Sequence, residues 1–104
     1  MNIDALEAML ARGQDSAMLR LTLGNAYAKA GDSERAESHL RAAVTQDAGY
    51  SAAWRALGRL QQKAGELDAA AESYRQGLTA ARERGDMQIV RELEVRLRRL
   101  EREG

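Results

Sequence analysis

Residues 51–84 read SAAWRALGRLQQKAGELDAAAESYRQGLTAARER, and the spacing of apolar and small residues in this stretch decides the fold. Ala53, Trp54, Leu57, Leu60 and Ala64 recur at helical intervals, Gly65-Glu66 interrupts them, and Ala70, Tyr74, Gly77 and Leu78 form a second stripe. Apolar positions three and four apart share one face of an α-helix, so each stripe is a helix with one side to bury. The glycine between them supplies the left-handed backbone that ends a helix, where a Cβ is penalised. The stretch is a helical hairpin, with Ser51 expected as N-cap of its first helix.

The same unit lies immediately before it. Leu23-Gly24 recurs as Leu57-Gly58, Ala30-Gly31 as Ala64-Gly65, Ala36 as Ala70 and Val44 as Leu78, each 34 residues later. Glu37-Ser38 recurs as Glu72-Ser73, one step out of register. In residues 17–50 the two stripes are Leu19, Leu23, Ala26, Tyr27 and Ala30, then Ala36, Leu40, Ala43 and Val44, with Gly31 at the turn. A fixed period of this length marks stacked copies of one supersecondary unit, because a lone hairpin cannot cover its own apolar faces. Gly24, Gly58, Ala36 and Ala70 are expected where the helices of a pair cross, since minimal side chains let the axes approach to ~8 Å.

Both flanks look built to close such a stack. Ile3, Leu6, Met9 and Leu10 form one stripe, and Leu6 and Leu10 align with Leu40 and Val44, as in the second helix of a truncated preceding unit over residues 3–12. From Asp86 a helix is expected to run to residue 103, turning Met87, Val90, Leu93, Leu97 and Leu100 inward. Arg91, Glu92, Glu94, Arg98, Arg99, Glu101 and Arg102 are then its outer, soluble face. The spacing also fits a short coiled-coil seam, but fewer than two heptads are present. Capping is preferred to dimerisation and a monomer to a homodimer, because terminal repeats are atypical.

On Trp54, Leu57-Gly58, Ala70 and Tyr74, and on Leu23-Gly24, Tyr27 and Ala36, the chain resembles the tetratricopeptide repeat (TPR) family. It departs from that pattern at Arg20 for tryptophan, Gln61 for tyrosine and Leu40 for an aromatic residue. Ala48 and Arg82 stand where a closing proline is common, so the turns between units are expected to be looser or to rely on Gly49 and Gly85. The resemblance implies an all-α fold: a right-handed superhelical stack of antiparallel helix pairs, a TPR-like α-solenoid of about six helices. Residues 1–104 then form a single domain, with 17–50 and 51–84 as its full repeats.

The resemblance also implies a concave groove, lined by the first helix of each pair, that holds extended or helical peptides. The residues facing it are Met18, Leu21, Thr22, Asn25, Ala28 and Lys29 from the first unit, and Ala52, Arg55, Ala56, Arg59, Gln62 and Lys63 from the second. Arg55, Arg59 and Lys63 step by four along one helix, and no acid interrupts residues 52–65. Asn25, Lys29, Arg55, Arg59, Gln62 and Lys63 are the candidate peptide-binding residues. An ordinary solvated face is the competing reading of such a stripe; arginine's fit to carboxylates favours an acidic ligand. Some family members clamp a terminal carboxylate with lysine, asparagine and arginine. Asn25 matches that pattern, whereas Leu21 and Ala56 replace polar clamp residues, so a full clamp is not expected.

Composition narrows the function further. Sixteen basic and sixteen acidic residues cancel, leaving no overall field to draw the chain onto nucleic acid or an anionic membrane. With no cysteine and one histidine, no zinc site of the usual kind is expected, and no glycine-rich phosphate loop is present. His39, on the polar side of Leu40, is expected to be solvated, and adjoining Ser38 points about 100° away, which rules the two out as a facing catalytic pair. Residues 1–13 carry Asp4 and Glu7 and lack the pattern of a secretory signal. The expectation is therefore a cytoplasmic, non-enzymatic adaptor without cofactor that binds a protein or peptide; self-association through the terminal helices is the alternative.

Overall fold

The computed structural model describes residues 2–103, and within them the chain forms six α-helices and no strand. They are α1 (Ile3–Ala11), α2 (Ala17–Lys29), α3 (Ser33–Gln46), α4 (Ser51–Lys63), α5 (Leu67–Arg84) and α6 (Met87–Glu103). Short polar side chains begin α1, α2 and α3, and at α6 Asp86 accepts from the Ile89 N–H at 3.4 Å. Asn2, Ser16 and Asp32 accept from the backbone N–H groups of Ala5, Leu19 and Arg35 at 2.7, 3.1 and 3.1 Å, which satisfies donors that a helix leaves unpaired at its start. Gly31 and Gly65 take φ of 85° and 81°, so both hairpins turn through the left-handed backbone that their sequence calls for. No helix among the described residues is long and apolar enough to cross a membrane.

The heaviest packing is within the pairs α2–α3 and α4–α5; α3 meets α4 and α5 meets α6, and α1 rests on α2. The apolar core follows this order in three buried clusters along the stack. Leu6, Leu19 and Leu23 lie at its N-terminal end, Leu40 and Leu57 in the middle, and Tyr74, Leu93 and Leu97 at its C-terminal end, all buried. Gly24 and Gly58 sit where their helices cross, as expected. A Cβ on Gly24 would come within 2.5 Å of Leu40 Cδ2, and one on Gly58 would overlap the Tyr74 ring.

The two units solve one packing problem with different chemistry. Gln61 and Ser73 are buried, and the Ser73 hydroxyl donates to Gln61 Oε1 at 2.6 Å. Thirty-four residues earlier the same positions are Tyr27 and His39, whose rings stack with centroids 5.5 Å apart. His39 is thus not the solvated residue its helix position implied; it is 8% exposed. Its Nδ1 lies 3.2 Å from Arg20 Nη1, its Nε2 is 3.9 Å from Glu7 of α1, and the Tyr27 hydroxyl donates to Glu7 at 2.9 Å. Arg20, at the position of Trp54, also makes two 2.8 Å bonds to Asp15. That pairing, with a further bond from Gln46, holds the Asp15 carboxyl far below its usual range.

A pH dependence follows from this cluster. Because an arginine always donates, Nδ1 must accept, so the neutral ring fits the site. Burial is the main cause of a lowered His39 pKa; the Glu7 charge opposes it, and the Arg20 charge assists. Above the ordinary value of 6.5 both folded and unfolded chains hold a neutral ring, and stability is at its full level. As pH falls through 6.5 the unfolded chain takes up a proton before the folded one does, and stability is lost until the folded pKa is passed. His39 is the sole histidine, so the decline in melting temperature between pH 7 and 5.5 should flatten in His39→Gln. An equal decline in that variant would assign the effect elsewhere.

Other expectations are corrected. Met87 is 53% exposed, because it lies about 120° around α6 from Leu93, and Ile89 is buried in its stead. Glu92 is not on the outer face; it turns toward α4. Ser51 is no cap: it is buried inside α4, and its carbonyl oxygen is 3.6 Å from where a Gly77 Cβ would stand. Trp54 is only half-buried, with its indole N–H donating to the Ala48 carbonyl at 2.8 Å. Tyr50 packs against the Leu40–Val44–Leu57 cluster. Of the two glycines expected at the turns between units, Gly85 does end α5 in the left-handed backbone, whereas the turn at Gly49 is held by Asp47, which accepts from the Gly49 N–H and from Arg84 at 3.1 Å each.

Candidate functional site

Side by side, α2 and α4 frame an open hollow of about 660 Å³. Its lower wall is apolar: Leu21 and Ala28 come from α2, Ala52, Ala56 and Leu60 from α4, and the buried Leu40 lies beneath. Asn25, Lys29, Arg59 and Lys63 are exposed and stand at the rim, with the half-buried Arg55 among them. The helical interval explains this division, because residues three and four apart climb one ridge of each helix while the intervening positions enter the core. Arg55, Arg59 and Lys63 occupy one such ridge.

Five of the six candidate binding residues line this hollow. Gln62 does not; its Oε1 accepts from the Tyr74 hydroxyl at 2.8 Å, so it braces α5 against α4. Met18 and Thr22 line a neighbouring hollow of about 460 Å³ with Leu6, Met9 and Leu19. The two hollows are neighbours along α2, since Met18 and Thr22 of one lie three residues before Leu21 and Asn25 of the other. Met18 is 69% exposed there, an unusual position for a large apolar side chain.

Charge is sorted across the molecule despite its net neutrality. Helices α2 and α4 carry Arg20, Lys29, Arg55, Arg59 and Lys63 and no acid. Elsewhere Arg35 pairs with Asp32, Arg41 with Glu37, Arg75 with Glu72, Arg82 with Glu94, Arg84 with Asp47 and Arg96 with Glu92, whereas Arg12, Arg91 and Arg98 lie apart from the hollow without a pair among the described residues. Among the described residues, Lys29, Arg59 and Lys63 have no ion pair. Arg55 does have one, which the acid-free stretch around it gave no hint of: its Nη1 is 3.1 Å from Glu92 Oε1 of α6. The other Glu92 oxygen accepts from Arg96 Nε at 3.0 Å. Burial alone would push the Glu92 carboxyl up, but the bonds and charges of Arg96 and Arg55 outweigh it and leave the pKa below its ordinary value.

Glu92 was obscured by a change of period. Helix α4 starts 34 residues after α2, whereas α6 starts 36 residues after α4, because α5 is longer than α3. At an interval of 36, Leu93 matches Leu57 and Glu92 matches Ala56, a residue of the hollow. Helix α6 thus packs on α5 and meets α4 in the place a following first helix would take.

Paired helices, stacked in chain order with one face left open along their first members, define a helical-repeat protein. The model of the tetratricopeptide repeat matches this chain twice, over residues 3–52 and 21–86. A TPR repeat-containing protein of Pseudomonas aeruginosa is 49% identical over 102 residues, covering 98% of this chain and 97% of the relative. A Bordetella parapertussis protein solved in solution superposes with a TM-score of 0.83 at 48% identity, covering 99% of this chain and 90% of its own. The crystal structure of a tetratricopeptide repeat domain protein from Salinibacter ruber gives 0.78 at 26% identity, covering 84% of this chain and 97% of that one. The chain belongs to the tetratricopeptide repeat family, whose fold generally mediates protein–protein interaction.

Proposed function

We propose that the chain is a non-enzymatic adaptor that binds an acidic segment of a partner protein in the hollow between α2 and α4. The observation that carries this reading is the set of free cations, Lys29, Arg59 and Lys63, standing over an apolar wall. Gathered around one hollow, these cations can meet several carboxylates of one segment at once. The apolar wall selects for aliphatic side chains between the acids. A ligand alternating leucine with glutamate meets both demands. Self-association through α6 lacks a comparable surface, since Val90, Leu93, Leu97 and Leu100 are spent within the chain, and the protein should act as a monomer.

The test is a fluorescence-anisotropy titration with a labelled peptide of alternating Leu and Glu, and its Leu–Lys counterpart as control. At low salt the acidic peptide should bind and the basic one should not. Arg59→Ala with Lys63→Ala should weaken binding about fivefold and reduce its salt dependence, since exposed charge pairs each contribute little. Unchanged affinity and salt slope in that double variant would discard the groove.

A further inference from the structure

Among the described residues, one carboxylate is paired with a cation of the hollow, and it comes from the chain itself. We infer that Glu92 is a resident stand-in for the ligand's carboxylate: an acidic segment gains Arg55 only by displacing it. This rests on the groove reading proposed above and adds to it a residue that sets how acidic a ligand must be.

The geometry suits an exchange. The Arg55 and Glu92 side chains are 32% and 33% exposed, open enough for an incoming carboxylate to reach the guanidinium. Glu92 also has a second partner one helical turn along, Arg96, so it can leave Arg55 without being stranded. Nothing in the packing of α6 needs to move, because Ile89, Leu93 and Leu97 seat the helix through buried apolar side chains that take no part in the ion pair. A ligand with a single carboxylate would find Lys29, Arg59 and Lys63 but would exchange one ion pair for another at Arg55. A ligand with clustered carboxylates can occupy the free cations first and then compete locally for Arg55, where its effective concentration is high. The Arg55–Glu92 pair therefore acts as a threshold that favours strongly acidic segments over weakly acidic ones.

The experiment is the titration with the Leu–Glu peptide on wild type, Glu92→Gln and Glu94→Gln. Both substitutions remove one negative charge from α6, but Glu94 pairs with Arg82, away from the hollow. Glutamine at residue 92 retains an oxygen for Arg55, so the fold is kept. Glu92→Gln should tighten binding about threefold and steepen its salt dependence, because one more cation is freed, while Glu94→Gln should stay near wild type. Equal or weaker binding by Glu92→Gln would overturn the inference, as would an equal gain in Glu94→Gln, which would make it an effect of overall charge. Those outcomes leave the groove intact. If wild type does not bind the peptide at any salt, the groove reading fails and this inference falls with it.

Discussion

Gly58→Leu is expected to melt about 10 °C or more below wild type, from overpacking worth ~2–3 kcal/mol in a domain of this size. Even a Cβ on Gly58 overlaps the Tyr74 ring. That ring is fully buried, and its hydroxyl is tied to Gln62 at 2.8 Å, so it has no free space to turn into. Gly24 is the same position one unit earlier and provides the internal comparison. There the obstacle is the end of Leu40, a flexible aliphatic chain that can change rotamer, although Ala36 O at 3.3 Å limits the relief. Gly58→Ala should accordingly cost more than Gly24→Ala, measured by urea unfolding of both. If the two alanine variants were equally stable and Gly58→Leu melted with wild type, the crossing assigned to α4 and α5 would be wrong.

The contrast between these glycines also shows what could be read from the chain. Leu23-Gly24 and Leu57-Gly58 are legible because crossing helices demand a small residue beside a large one, and that demand repeats with the period. The Tyr27–His39 and Gln61–Ser73 pairs are the reverse case. They fill equivalent positions with unlike chemistry, so self-comparison registers only mismatches, and the polar flank of α3 reads as solvated. Burial of His39 depends on Arg20 of α2 and Glu7 of α1, partners 19 and 32 residues away that no local pattern announces. Arg55, Arg59 and Lys63 are visible as a stripe along α4; the tie from Glu92 to Arg55 is not, because the longer α5 shifts α6 out of the 34-residue frame. Departures of this kind concentrate where one helix is completed by another distant in sequence.

Leu93→Ala should be the most damaging of the conservative truncations in α6, at about 3 kcal/mol and roughly 15 °C in melting temperature. Leu93 is fully buried, and its Cδ1 is 2.9 Å from where a Cβ on Gly77 would be, so it fills the notch that the glycine leaves in α5. Met87→Ala on the same helix should stay within about 0.5 kcal/mol of wild type, since that side chain is exposed. The pair discriminates between two pictures of α6. If the helix were an appendage, losing Leu93 would release it alone, and the melt would separate into two transitions. In a stack this short, each helix covers its neighbour's apolar face, and uncovering α5 should bring down the whole in one transition. Calorimetry of Leu93→Ala beside Met87→Ala decides it: equal melting temperatures would overturn the assigned face of α6. Since that face also determines where Glu92 meets Arg55, the same stripe of leucines that closes the stack places the carboxylate at the edge of the hollow.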